Sequence, residues 1–182
     1  MNHRIISTIL REIYETINES YKLFGVNQYV SPRTRELTKS EAKIRKVAYA
    51  LKNAETWAVK FASEDMAKYV TRDSVLVPIP SSKGITSDNL ILANAIAKLS
   101  GSSVADILTR SEAVESSSQR RRMGLRGINP DHHNMVATET LENATDVVFI
   151  DNVTTTGSTG IASIVALGKG RVLAYAKADE VI

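Results

Sequence analysis

The sequence predicts an α/β fold: a parallel sheet covered on both faces, preceded by a helical amino-terminal region. Three observations carry this. Short β-branched runs recur between residues 74 and 178, amphipathic helical patterns separate several of them, and the first third shows helical periodicity. A chain of 182 residues with 43% hydrophobic composition can bury one sizeable core. The expected division is a helical hood or extension over 1–72 and an α/β core over 73–182, together one compact unit.

The elements follow in order. Ile5, Ile6, Ile9, Leu10, Ile13 and Ile17 recur at three- and four-residue steps and form one apolar stripe, the mark of a helix. Thr38 followed by Glu41 is a capping box that opens a second helix, with Ile44, Val47, Ala48 and Leu51 on its inner face. A third helical run covers Thr56 to Tyr69, with Trp57 expected in the core. "SVLVPIP" from Ser74 is a strand buried on both faces and ended by prolines. "SSKGITSD" is a turn-rich connection, and "NLILANAIAKLSG" is a helix stopped by glycine. A strand is expected over Val104 to Thr109, then a long charged loop from Ser111 to Asn134. "MVAT" and "DVVFI" read as strands, Thr159 to Leu167 as a helix and "GRVLAYAKA" as a last strand.

Composition narrows the chemistry. The chain has no cysteine, which removes disulfides, thiolate nucleophiles and thiolate metal sites and fits a reducing, cytoplasmic setting. The opening residues do not form a signal peptide, and no apolar run reaches the ~20 residues that span a bilayer. A net charge of +3 is too small for a global nucleic-acid footprint. Basic residues do cluster in "QRRRMGLR", but without interleaved aromatics for base stacking, so nucleic acid ranks low as a partner. His132 and His133 beside Asp131 lack a third ligand at sensible spacing and read as solvated loop residues.

The densest chemistry lies in "VVFIDNVTTTGSTG", Val147 to Gly160. Between a strand and a helix, backbone amides converge at the helix amino terminus, where partial positive charge favours an anion. Gly157 allows close approach, and Thr154, Thr155, Thr156, Ser158 and Thr159 add hydroxyls, more than capping alone requires. Asp151, at the strand's end, can accept hydrogen bonds from sugar hydroxyls beside a bound phosphate. An anion cradle and a diol acceptor together suggest a sugar phosphate.

This stretch resembles the signature of type I phosphoribosyltransferases: apolar residues, two acidic residues, an apolar residue, then Thr-Thr-Gly-x-Thr. The resemblance implies a Rossmann-like core and a loop, Thr155 to Thr159, that holds the 5-phosphate of phosphoribosyl pyrophosphate. It also implies that Asp151 and the next position hold the ribose 2- and 3-hydroxyls. That next position is Asn152, which removes one negative charge and weakens support for an electron-poor ribose.

"VPIPSSKG" resembles the family's pyrophosphate loop, with Ser81, Ser82, Lys83 and Gly84 as its grip. "LTRSEAVESSSQRRRMGLRGIN" is similar to the mobile loop of the ComF-like and amidophosphoribosyltransferase-like branch, through Arg110, Ser118-Gln119, Leu125 and Arg126-Gly127-Ile128-Asn129. Arg110 and one of Arg120 to Arg122 are then the candidates to neutralise the pyrophosphate. The implied activity is that of a pentosyltransferase of nucleotide metabolism. It transfers ribose 5-phosphate to a nitrogenous base or amine and releases pyrophosphate. Mg2+ is held through the pyrophosphate near Asp151 with no direct protein ligand, and Asp151, Arg110 and Lys83 are the expected catalytic residues. Family members are often homodimers. The alternative is a non-catalytic protein of the same fold that binds phosphoribosyl pyrophosphate or a nucleotide in regulation or DNA processing.

Overall fold

The computed structural model describes residues 22–31, 35–84, 86–115, 120, 123 and 130–178. The helix expected over Ile5 to Ile17, Ser118-Gln119, Arg121, Arg122 and Leu125 to Asn129 lie outside them. The described elements in chain order are β1 (Leu23–Tyr29), α1 (Lys39–Leu51), α2 (Thr56–Met66), β2 (Ser74–Pro78) and α3 (Ser87–Ser100). They continue with β3 (Ser103–Val104), β4 (Leu108–Arg110), β5 (Met135–Ala137), β6 (Asp146–Thr154), α4 (Ser158–Leu167) and β7 (Arg171–Ala178). Short 3-10 turns follow α2, over Ala67–Tyr69, and precede β5, over Pro130–His133.

Strands β1-β7-β6-β2-β3 form one five-stranded sheet in that order, and every pairing is parallel. The protein is therefore α/β, with a parallel sheet flanked by helices and compatible with a Rossmann-like fold. The connection β2-α3-β3 steps toward one edge of the sheet, whereas β6-α4-β7 steps toward the other. Because parallel crossovers are right-handed, α3 and α4 must lie on opposite faces. The packing agrees. Val47, Leu51, Ala62, Met66, Leu92 and Ile96 from α1, α2 and α3 meet Leu76, Val148, Ile150, Leu173 and Tyr175. On the other face, Ile161 and Ile164 of α4 meet Val77, Val147, Phe149 and Val172, with the β4–β5 ribbon beside them. Alternate residues of β6 thus serve opposite cores, which is why its sequence is continuously apolar.

The capping box at α1 is present as expected. The Thr38 hydroxyl accepts from the Glu41 amide at 3.3 Å, and the Glu41 carboxylate accepts from the Thr38 amide at 2.8 Å. Thr38→Ala is expected to cost about 1 kcal/mol, visible as a lower urea midpoint at unchanged slope.

Three expectations need correction. The amino-terminal region is not wholly helical, because Leu23–Tyr29 forms β1, the edge partner of β7. Its Gly, Asn and Gln residues hide the strand pattern. Gly25 is there because β1 runs close to β7: a Cβ on it would lie 2.5 Å from the Lys177 Cβ. The single strand expected over Val104 to Thr109 is instead two, β3 in the main sheet and β4 in the ribbon, with a bend between them. Trp57 is 44% exposed rather than core. Its indole N–H donates to Glu55 at 2.7 Å, while Ala58, Val59, Ala62 and Met66 fill the buried side of α2. Among the described residues no helix is long and apolar enough to cross a membrane.

Candidate functional site

Strand order reverses between β2 and β6, since β2 leads on to one edge and β6 to the other. At such a switch point the loops leaving the two strands diverge and open a crevice beyond their carboxyl ends. A cavity of about 400 Å3 lies there, lined among others by Ser81 and Ser82 after β2, Asp151 and Asn152 of β6, and Thr159 of α4. The topology therefore brings together the two loops that the sequence singles out for their chemistry.

Asp151 lies within β6, paired in register with Ala174, and is only partly buried as a residue. Its carboxyl accepts from the Asn152 amide at 2.8 Å and from the Asn89 side-chain amide at 3.5 Å. Burial, and to a smaller degree the nearby charge of Asp88, raise its pKa from the ordinary 3.8 to about 6, although these hydrogen bonds favour the ionised form. Burial likewise raises Asp88, in the first turn of α3. Asp88 and Asp151 share this cavity with Glu115, and Lys52, at the carboxyl end of α1, lines it too.

The hydroxyl loop is only partly open. Thr154 is buried at the end of β6, Thr155 is half-buried and Thr156 is exposed. Gly157 caps α4 with φ 75°, and its missing Cβ leaves room for Leu23, so it is required both for its conformation and for the space. Ser158 is buried and accepts from the Thr156 hydroxyl at 3.1 Å. Of this loop, Thr159 is the residue lining the cavity.

Lys83 is exposed and does not line the cavity, whereas Ser81 and Ser82 of the same loop do. The turn closes through the Gly84 amide donating to the Ser81 carbonyl at 2.9 Å, with Gly84 at φ 80°.

Arg110 lines the cavity from β4, yet most of its donors face the protein. Nε donates to the Ser81 carbonyl at 2.7 Å, Nη2 to the Pro80 carbonyl at 3.3 Å, and Nη1 to the His133 carbonyl. Nη1 also lies 3.3 Å from His133 Nδ1. A guanidinium has no acceptor, so Nδ1 must carry the lone pair and the proton sits on Nε2. Nε2 therefore donates to the Ser158 hydroxyl, 3.1 Å away. That polarity is the reverse of a histidine activating a serine nucleophile. It leaves the hydrogen of Ser158 available as a donor at the start of α4. Burial lowers the pKa of Arg110, and the charge of Asp151 offsets part of this.

His133 is thus not the solvated residue its loop suggested. It is 2% exposed and ties the Arg110 clamp to the hydroxyl loop, whereas His132 is exposed. Asp88, Asn89, Lys52 and His133 escaped the sequence reading. An acidic residue in the first turn after a Ser-rich strand exit was the available signal for Asp88; the others lack a local pattern. Arg120 pairs with Glu115 at 3.2 Å. Among the described residues no group of three His, Cys, Asp or Glu side chains could hold a metal ion. Comparison of the chain with protein-family models, curated proteins and solved structures returned no match.

Proposed function

We propose that this cavity binds a ribose phosphate and that the chain is a phosphoribosyltransferase, moving ribose 5-phosphate from phosphoribosyl pyrophosphate to a nitrogenous base or amine. The observation that carries the reading is convergence. The first turn of α4 through Thr159, the carboxylate of Asp151 on β6 and a Ser-rich strand exit open on one cavity at the switch point of a parallel sheet. Each is common alone; together they suit a ligand that carries a phosphate, a diol and a pyrophosphate.

In this reading Thr159, with the first amides of α4, holds the 5-phosphate, Ser158 ties that turn to His133, and Asp151 accepts from a ribose hydroxyl. Ser81 and Ser82 face the pyrophosphate, held in shape by Arg110. Mg2+, if carried in on the pyrophosphate near Asp151, supplies charge neutralisation, which suits its preference for substrate phosphates over an all-protein cage. Rate enhancement then comes from positioning and from charge stabilisation of the ribose rather than from a covalent intermediate. Among the described residues before β2, Lys52 lines the cavity.

The test is release of pyrophosphate from phosphoribosyl pyrophosphate with Mg2+ across a panel of bases and amines. Release that depends on one acceptor and disappears in Asp151→Ala supports the transferase. Tight binding without release in any pairing favours the second reading, a regulatory or DNA-processing protein that senses the same ligand. Asn152, in place of a second carboxylate on β6, is the observation that keeps this second reading in play.

A further inference from the structure

We infer that Asp88, from α3, supplies the second carboxylate of the ribose-diol site and stands in for the acidic side chain that position 152 lacks. This inference rests on the ribose phosphate reading above and adds to it a residue from a different element.

The orientation of Asn152 is the first argument. Its Oδ1 accepts from the Val153 backbone amide at 2.7 Å, which turns its NH2 group toward Asp88 Oδ2, 3.4 Å away. Asn152 therefore presents donors to the cavity, and those donors meet a carboxylate. An aspartate at this position would instead face Asp88 with like charge. Asparagine at 152 and aspartate at 88 suit each other as neighbours, and the cavity wall around Asn152 still carries the carboxylates of Asp88 and Asp151, with Glu115 lining the cavity as well.

Asn89 provides an independent indication that a ligand donor belongs here. It is 4% exposed and lines the same cavity between the two carboxylates in the chain fold. Its Nδ2 donates to the Ile79 carbonyl at 2.7 Å and reaches Asp151 at 3.5 Å, which fixes the amide orientation. Its Oδ1 is buried with no hydrogen-bond partner. A buried acceptor left unmatched is costly, and a ligand hydroxyl is a group that would match it. Two carboxylates and one orphan amide oxygen make an acceptor-rich wall suited to vicinal hydroxyls. Asp88 also lies in the first turn of α3, where the helix dipole favours its negative charge in the absence of ligand.

The experiment compares ribose 5-phosphate with 2-deoxyribose 5-phosphate by calorimetry on four chains: wild type, Asp88→Asn, Asn152→Asp and the double variant. Wild type is expected to prefer the ribose form by about tenfold, the worth of a charged hydrogen bond to one hydroxyl. Asp88→Asn should bring the preference close to one, and adding Asn152→Asp to it should restore most of it by returning the carboxylate to β6. Asn152→Asp alone should weaken binding, because it places a like charge directly beside Asp88. A purely structural Asp88 would move both affinities together and would not be rescued. If wild type shows the preference and Asp88→Asn keeps it, this inference falls while the ribose phosphate reading stands. A gain in binding from Asn152→Asp alone would also overturn it. If wild type binds neither sugar phosphate, nor phosphoribosyl pyrophosphate, both fall together.

Discussion

Asp151→Asn is expected to raise the stability of the free protein at pH 7 by about 1–3 kcal/mol while abolishing ribose phosphate binding. The carboxyl titrates near 6 in the folded chain against an ordinary 3.8, chiefly because burial penalises its charge. Above pH 6 it is charged in both states, and the folded state bears the full cost of the buried charge. Between those values the folded chain holds a proton that the unfolded chain releases, so this group makes stability rise as pH falls from 7 toward 4. Below the unfolded value both states are neutral and the cost vanishes. A shift of two units corresponds to about 3 kcal/mol at most, and the new amide's unmatched donors reduce the gain. Urea denaturation of both chains across pH 4 to 7 checks this. The variant should be the more stable at neutral pH and the two should converge in acid. A variant less stable than wild type at pH 7 would mean that the carboxylate is held by the fold rather than strained by it. Stability withheld at a position that binds ligand is the expected signature of a functional group.

Arg110→Ala is expected to destabilise by roughly 2–4 kcal/mol and to remove ligand binding with it. The guanidinium satisfies the carbonyls of Pro80, Ser81 and His133 and fixes the tautomer of His133. Its loss removes a donor from each of these three carbonyls, of which Ser81 keeps the Gly84 amide, and uncouples the Ser-rich turn from the hydroxyl loop. Arg110→Lys should recover only part of the stability, because an ammonium cannot span three carbonyls in a plane. A wild-type urea midpoint in Arg110→Ala, with binding lost, would instead make this side chain a direct pyrophosphate ligand.

The parts of the site that were legible in the sequence are those written locally. Strand β6, its Asp and the Thr-rich entry to α4 lie within fourteen consecutive residues, so apolar run, carboxylate and hydroxyls declare one another. The capping box at Thr38 and the glycine stop at Gly101, with φ 76°, are local in the same way. Other parts depend on contacts far apart in sequence. Asn89 meets Ile79 and Asp151 only because a right-handed crossover lays the start of α3 over the switch point. His133 becomes a buried link only when β4 and β5 pair and swing it against α4. Strand β1 is an edge strand with one neighbour, so its burial and its apolar pattern are both weak. Trp57 shows the opposite error: its size suggested core, yet the small alanines of α2 are what the tight packing against the sheet accepts.

We propose above that the cavity between β2 and β6 holds a ribose phosphate. Calorimetric titration of wild type and Asp151→Ala with phosphoribosyl pyrophosphate, with and without Mg2+, tests it most directly. Wild type should show saturable binding that strengthens with Mg2+ and is lost in the variant. Binding of equal strength in Asp151→Ala, or no heat from wild type under either condition, would contradict it.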